Sequence, residues 1–177
     1  MDFNESEQTE VNQTNLMGQK AIEKMRKMID KAGSCFFCTS SMLNKINSSP
    51  MNVQKSDANG DLWFLSPKDS IKNLEITHDS QVTLLFQGSA HSDFLELTGK
   101  AVISYDKERI KELWDPMAKS WFKDGVDDPS ISVIQFKTES GHYWENEHGN
   151  TIAGIKLLIG VITGTSMDDT EEGYLKI

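Results

Sequence analysis

The stretch Phe94–Tyr105, FLELTGKAVISY, alternates between apolar and polar residues over most of its length. Successive side chains of a β-strand point to opposite faces, so this period of two predicts a long strand with one face buried. The alternating residues extend from Phe94 to Tyr105. Gly99 stands between them, where a glycine indicates a β-bulge.

Shorter strand patterns lie on both sides of this stretch. They span Cys35–Thr39, Met51–Lys55, Leu62–Leu65, Gln81–Gln87, Ile131–Phe136 and Gly141–Trp144. The dipeptide Asn59-Gly60 accepts the positive φ angles of a tight hairpin, so the second and third of these strands should pair directly. Helices do not separate the strands in a regular βαβ rhythm. The sequence therefore predicts a mainly β (α+β) domain: a small antiparallel barrel with peripheral helices.

Two helices are predicted outside the barrel. Residues 14–32 carry apolar side chains at three- and four-residue spacing, and Gly33 stands where a C-terminal cap belongs. Asp106 is placed to cap a second helix, with Ile110, Leu113, Trp114 and Met117 on one face. Residues 151–164 fit a helical face but are rich in β-branched residues, so helix and strand both remain open there, with helix favoured.

The charge of the chain is concentrated at its ends. The net charge is −9, but residues 1–15 hold four acidic and no basic residues, and residues 166–177 hold four acidic residues and one lysine. We expect these two segments to be mobile tails around a folded domain at residues 16–165. The nearly neutral centre argues against binding nucleic acid, which requires a basic surface. No apolar run is long enough to span a membrane and no secretory signal is recognisable, so we expect a cytoplasmic protein.

Cys35 and Cys38 are the only cysteines, in the spacing C-x-x-C. That spacing occurs in redox-active pairs, but there it normally opens a helix. Here it falls in an apolar strand whose alternation would point the two thiols to opposite faces. We interpret them as structural thiols, with a redox pair or a metal pair as alternatives. No metal site is predicted, since no second cysteine pair is present and the four histidines show no ligand spacing.

The segment Trp63–Lys72, WFLSPKDSIK, begins as a strand and ends as the start of a helix. Ser66 is placed as the helix N-cap, Pro67 as the first helical residue and Asp69 as a relative of the capping box. This capping role leaves Ser70 and Lys72 unexplained. A helix N-terminus with a nearby hydroxyl and ammonium can bind an anion, so phosphate is the second interpretation.

Several segments, in the same order along the chain, resemble the general stress protein branch of the pyridoxamine 5′-phosphate oxidase-like family. The most specific are LWFLSPKDSIKNLEI, LTGKAVISYD, ELWDPMAKSWFKDGVDDP and HYWE, and the resemblance spans about residues 16–165. It implies a six-stranded antiparallel split β-barrel, the FMN-binding split barrel. It also implies a homodimer with two flavin mononucleotide (FMN) sites at the interface, FMN being favoured over FAD.

The resemblance also implies roles for individual residues. Ser70 and Lys72 match the pair that grips the flavin phosphate. Leu65 and Ser66 match positions that line the flavin, and the strand from Met51 to Gln54 would run along its ring system. Trp144 matches a tryptophan that approaches the flavin from the partner subunit. For Met51 and Trp144, a plain core or dimer contact is the alternative.

Two departures from the family pattern limit the function. Ser49 stands where the branch commonly has an arginine, and the chain has only Arg26 and Arg109, both on predicted helices. The Arg-x-His of the true oxidases is also missing after Trp144, which predicts that the chain is not a pyridoxamine phosphate oxidase. No catalytic residue stands out. Three hypotheses follow: a weak flavin-dependent oxidoreductase, a flavin carrier or sensor, and a cofactor-free dimeric scaffold.

Overall fold

The computed structural model describes residues 12–41, 45–89, 93–146 and 170–177. The strands are β1 (Asn12–Gln13), β2 (Leu16–Met17), β3 (Ser34–Ser40), β4 (Ile46–Asn52), β5 (Lys55–Ser56), β6 (Leu62–Pro67), β7 (Gln81–Gln87), β8 (Phe94–Ser104), β9 (Ile131–Asn146) and β10 (Thr170–Lys176). The helices are α1 (Gln19–Ala32), α2 (Ile71–His78) and α3 (Lys107–Leu113), followed by 3-10 turns at Pro116–Ser120 and Gly125–Asp127. The ambiguous segment 151–164 lies outside the described residues.

The strands pair in a closed order that forms a barrel. β3 pairs with β4 and β7, β7 with β8, β8 with β9, β9 with β6 and β6 with β5, each antiparallel. β5 follows β4 after a break at residues 53–54, so β4 and β5 together form one side of the barrel. The mainly β split barrel is confirmed, with six strand paths around the barrel and the added strands β1, β2 and β10 at one edge.

The longest pairing in the barrel joins β8 and β9. It runs from Phe94↔Trp144 to Ser104↔Val133 with a register shift at Thr98/Gly99. A Cβ atom on Gly99 would lie 2.1 Å from the carbonyl oxygen of Lys137, which explains the glycine. The register passes from Thr98↔Ser140 to Gly99↔Thr138, so a bulge is present at Gly99 as predicted, but its extra residue is Glu139 of β9. Two short strands were predicted within β9. The structure has a single strand, because β8 stays paired along almost its whole length.

Two clusters of buried side chains stabilise the fold. The larger fills the barrel and includes Phe37 and Phe64, whose rings meet edge to face at 5.3 Å. The helix α1 covers this cluster with Met25, Met28 and Ile29. The second cluster lies between α3 and the outer surface of β6 and β9, where it joins Trp63, Leu65 and Val133 to Ile110 and Phe122.

The predicted boundaries of two helices need correction. The helix α1 begins at Gln19 rather than at residue 14, because residues 12–17 form β1 and β2, which pair in parallel with β10. Its predicted C-terminal cap is confirmed, since Gly33 has φ 70° and its N–H donates to the carbonyl of Ile29. The Asp106 cap of α3 is also confirmed, but α3 ends at Leu113 and Met117 is exposed.

The C-terminal segment was predicted to be part of a mobile acidic tail, and for residues 170–176 that prediction is wrong. These residues form β10, which pairs antiparallel with residues 140–146 of β9. Leu175 is buried in the barrel cluster. The hydroxyl of buried Tyr143 also donates to the Glu171 carboxylate at 2.8 Å. The acidic composition concealed a strand that buries Leu175 and turns Glu171 toward Tyr143.

The cysteines lie on β3 with the predicted alternation. Cys35 is buried and Cys38 is half-buried on the opposite face. Burial raises the pKa of Cys35 to about 12 and also raises that of Cys38. Both thiols therefore stay protonated near neutral pH, which matches the structural interpretation. None of the described helices is both long and apolar enough to cross a membrane. The cytoplasmic location stays a prediction.

Candidate functional site

The junction between β6 and α2 differs from its prediction. β6 continues through Ser66 and Pro67, which pair with Ser132 and Ile131 of β9, so Pro67 ends a strand instead of opening a helix. The N-cap of α2 is Ser70, whose hydroxyl oxygen accepts from the backbone N–H of Asn73 at 3.3 Å. The predicted cap at Ser66 is wrong by four residues, because hydrogen bonding to β9 keeps the chain extended up to Pro67.

The structure brings Ser66 and Ser70 together. Their hydroxyl oxygens lie 3.2 Å apart, although Ser66 is fully buried and Ser70 only partly. The first backbone N–H groups of α2 have no acceptor within the helix and carry the positive end of its dipole. The junction therefore presents the partly exposed Ser70 hydroxyl, with the buried Ser66 hydroxyl in contact with it, at the N-terminal end of α2.

Lys72 lies in the first turn of α2 and is half-buried. Its ammonium has no hydrogen bond or ion pair with any residue in the described part of the chain. Desolvation lowers the pKa of Lys72 below 10.5, the usual value for lysine. A nearby anion would favour the charged form and so offset this cost. Lys72 is therefore available to an anionic ligand.

Two residues that the sequence analysis did not name lie beneath the junction. Ser132 of β9 is fully buried and its hydroxyl donates to the Ser66 carbonyl oxygen at 2.8 Å. Asn73 of α2 is 3% exposed and its Nδ2 donates to Ser132 Oγ at 2.8 Å and to the Lys68 carbonyl oxygen at 3.4 Å. One feature of the sequence could have drawn attention to Ser132: it is a polar residue within the otherwise apolar run Ile131–Ile134.

A buried carboxylate attaches the other half of α2 to the barrel. Glu75 is 4% exposed, and its oxygens accept from Thr39 Oγ1 at 2.5 Å and from the Asn47 amide. Thr39 belongs to β3 and Asn47 to β4, so this residue ties α2 to two strands. The helix that carries Ser70 and Lys72 is therefore attached to the strands through Asn73 in its first turn and Glu75 at its middle.

The remaining predicted site residues occupy different environments. Met51 and Leu65 are each 9% exposed, with Met51 in the barrel cluster and Leu65 in the cluster under α3. Gln54 is half-buried just beyond β4, and its backbone N–H donates to the Trp63 carbonyl at 2.9 Å. The core contact that was the alternative for Met51 matches its position. A flavin contact by these three residues stays a prediction.

Trp144 lies far from the junction within one chain. Twelve residues of β9 separate it from Ser132, which is about 40 Å along the strand at the usual rise. Its ring centroid lies 3.9 Å from that of His142, which in turn stacks on Tyr174 at 4.4 Å. Ser132, which pairs with Ser66 of the junction, and Trp144 therefore lie near opposite ends of β9.

No guanidinium group is placed at the junction to substitute for the arginine missing at Ser49. Ser49 is half-buried on β4 and pairs with Phe37. Arg109 lies on α3, where it contacts the Glu112 carboxylate at 2.6 Å and the Trp63 ring at 4.3 Å. Arg26 is exposed on α1. Any phosphate grip at the junction would rest on hydroxyls, backbone N–H groups and Lys72.

A family model matches most of the chain's sequence, and a curated protein matches just over half of it. The model of the family described as pyridoxamine 5′-phosphate oxidase like matches residues 20–168. Protein bli-3 of Neurospora crassa is 28% identical over 112 residues, which are 59% of this chain and 54% of that protein. The chain thus spans about half the length of this curated relative.

Solved structures resemble the chain at lower identity. A Clostridium acetobutylicum protein related to general stress protein 26 of B. subtilis has a TM-score of 0.64 at 19% identity, covering 72% of this chain and 90% of that one. The general stress FMN/FAD binding protein of Xanthomonas citri has a TM-score of 0.64 at 20% identity, covering 75% and 94% respectively. At such identities these structures establish the fold alone.

Proposed function

The chain belongs to the pyridoxamine 5′-phosphate oxidase-like family, and from that membership we propose that it binds flavin mononucleotide with the phosphate at the β6–α2 junction. The observation that carries the proposal is Lys72, a half-buried lysine without a partner among the described residues, in the first turn of the helix that Ser70 caps. Buried cations are normally paired, so an unpaired one at a helix N-terminus favours an anionic ligand.

FMN fits this junction better than FAD. The junction offers one cluster of donors, which suits one terminal phosphate monoester. A related structure from Xanthomonas citri is described as FMN/FAD binding, so FAD is kept as the alternative ligand. Ser66, Ser70 and Lys72 would hold the phosphate, and the backbone near Leu65 and Gln54 would lie toward the rest of the cofactor.

The proposed reaction class is a flavin-dependent oxidation or reduction. A bound flavin supplies hydride and electron transfer, while the protein supplies binding, orientation and exclusion of water. The described junction contributes donors and one cation, with no histidine or carboxylate hydrogen-bonded to Ser66, Ser70 or Lys72. We therefore assign these residues a binding role and name no acid or base.

We also propose that the working form is a homodimer. Trp144 and His142 lie on the outer face of the sheet, on the side opposite buried Tyr143. Pro50, Phe36, Leu85, Glu96, His142 and Tyr174 are paired in one register row across the same face. Phe36, Leu85 and Tyr174 of this row are between 42% and 58% exposed. A second copy covering this row would remove apolar surface from water and could bring its Trp144 toward the junction.

A cofactor-free scaffold is the second candidate, and Ser49 favours it. Loss of an arginine–phosphate contact costs about 1.5–3 kcal/mol, or roughly ten- to a hundredfold in affinity. A site whose affinity is reduced by this factor would be largely empty at low concentrations of FMN. In that case the dimer would persist without a flavin.

Purification and titration test the proposal. The protein should copurify with flavin or bind added FMN, giving the visible spectrum of a protein-bound flavin. A purified protein that neither carries nor binds FMN would refute flavin binding and favour the scaffold. Oxidation of NADH or NADPH beyond the rate of free FMN would then favour an oxidoreductase, whereas FMN binding without turnover would favour a carrier or sensor.

A further inference from the structure

The interior of the barrel becomes polar at the end that α2 covers. Ser66 continues the inward row of Leu62 and Phe64 on β6, and Ser132 does the same for Ile134 and Phe136 on β9. Both serines are fully buried. Burying polar groups is unfavourable unless they are hydrogen-bonded. Apolar packing therefore does not explain why serines occupy these two buried positions.

Asn73 supplies the partner for this polar pair. Its Nδ2 donates to Ser132 Oγ and to the Lys68 carbonyl, and its backbone N–H donates to Ser70 Oγ. One buried residue is thus hydrogen-bonded to β9, to the turn after β6 and to the helix cap. Ser132 extends the network by donating to the Ser66 carbonyl, while the buried Asn73 Oδ1 has no hydrogen-bond partner among the described residues.

The network acts on the geometry of the phosphate donors. The turn between Pro67 and Ser70 has one internal backbone hydrogen bond, from the Ser70 N–H to the Pro67 carbonyl at 3.0 Å. The side chains of Lys68 and Asp69 are exposed. The Lys68 N–H also donates to the Ser130 carbonyl at 2.8 Å, so this bond and the Asn73 contacts together fix the turn. Ordering a loop or side chain on binding lowers affinity, so a turn fixed beforehand binds its ligand more tightly.

We propose that Asn73 and Ser132 are positioning residues for the phosphate end of the flavin. They hold Ser66, Ser70 and the first turn of α2 in the arrangement that binds phosphate, and they do not contact the ligand themselves. In this chain such rigidity takes the place of part of the grip that an arginine at Ser49 would provide. The proposal rests on the flavin function proposed above.

The test compares FMN with riboflavin, which lacks only the phosphate. The ratio of their dissociation constants, riboflavin over FMN, measures the contribution of the phosphate alone. Ser132→Ala removes one buried oxygen without adding bulk, and Asn73→Ala removes the amide. We expect each to lower this ratio by about tenfold, with little change in riboflavin affinity.

Ser140→Ala is the matched control. Ser140 lies on the same strand, and its hydroxyl is hydrogen-bonded to that of Thr98 at 2.8 Å on the exposed face. This variant should keep the wild-type ratio. Asn73→Asp keeps the shape of the side chain but loses the donor, so it should lower the ratio as Asn73→Ala does.

The outcomes separate this inference from the flavin proposal. A merely structural role would lower the unfolding temperature of Ser132→Ala and leave the ratio unchanged, and that result would overturn the inference while FMN binding stands. If Asn73→Ala does not fold, Ser132→Ala decides by itself. A wild-type protein that binds neither flavin would refute the proposed function and this inference with it.

Discussion

Lys72 keeps a charge in a half-buried position at a desolvation cost that no described residue offsets. A phosphate dianion would offset it through a charge-assisted hydrogen bond. We expect Lys72→Ala to weaken FMN binding by roughly ten- to a hundredfold, with a smaller effect on riboflavin. Titration followed by flavin fluorescence would measure both constants. Lys68→Ala, which removes an exposed lysine of the same junction, is the control. An unchanged FMN affinity in Lys72→Ala would show that Lys72 does not bind the phosphate.

The pH dependence of FMN binding follows from the same residue. Desolvation lowers the pKa of Lys72 below 10.5 in the free protein, and bound phosphate would raise it again. At a pH above the pKa of Lys72 in the free protein, FMN binding is therefore accompanied by uptake of a proton by Lys72. FMN affinity should therefore fall as pH rises above the pKa of Lys72 in the free protein, which lies below 10.5. Lys72→Ala should lose this dependence, and a slope that survives in the variant would assign it to another group.

At the scale of single elements, β10 is the least expected part of the fold. Leu175 is 1% exposed and packs in the barrel cluster, so Leu175→Ala should lower the free energy of unfolding by about 2–5 kcal/mol. Denaturant unfolding at fixed protein concentration measures this change. Lys176→Ala, on the adjacent exposed position, should have little effect. If both variants unfold like the wild type, β10 does not contribute to the core.

The sequence predicted the elements whose pattern is local. Gly99, the α1 face around Met25 and the Asp106 cap follow from spacing and capping rules, and the structure confirms them. The Ser66 cap failed because pairing with Ser132, far away in sequence, extends β6 past its predicted end. β10 was missed because its acidic residues suggested a tail. Asn73 was missed because a single buried polar residue has no local signature.

At the scale of the whole molecule, the outer sheet face tests the dimer. Phe36 is 58% and Leu85 is 42% exposed, and they are register partners on β3 and β7. A charge placed here would be buried without a partner if a second copy covers the face. Phe36→Glu should therefore shift the protein toward monomer, as measured by light scattering after gel filtration.

The dimer experiment has a control on another surface. Met117 is 69% exposed in the 3-10 turn after α3, so Met117→Glu should leave the mass unchanged. If Phe36→Glu keeps the wild-type dimeric mass, the interface lies elsewhere. If the wild type is itself monomeric, the homodimer proposal fails.

The parallel pairing of β1 and β2 with β10 makes two segments from opposite ends of the described chain share one set of hydrogen bonds. The Thr14 N–H donates to the Glu172 carbonyl at 2.8 Å, and the Gly18 N–H donates to the Lys176 carbonyl at 2.8 Å. β10 also pairs with β9, so β1 and β2 can separate from β10 without opening it, whereas opening of β10 removes the partners of both. The amide hydrogens of β1 and β2 that donate to β10 should therefore exchange with solvent at least as fast as those of β10.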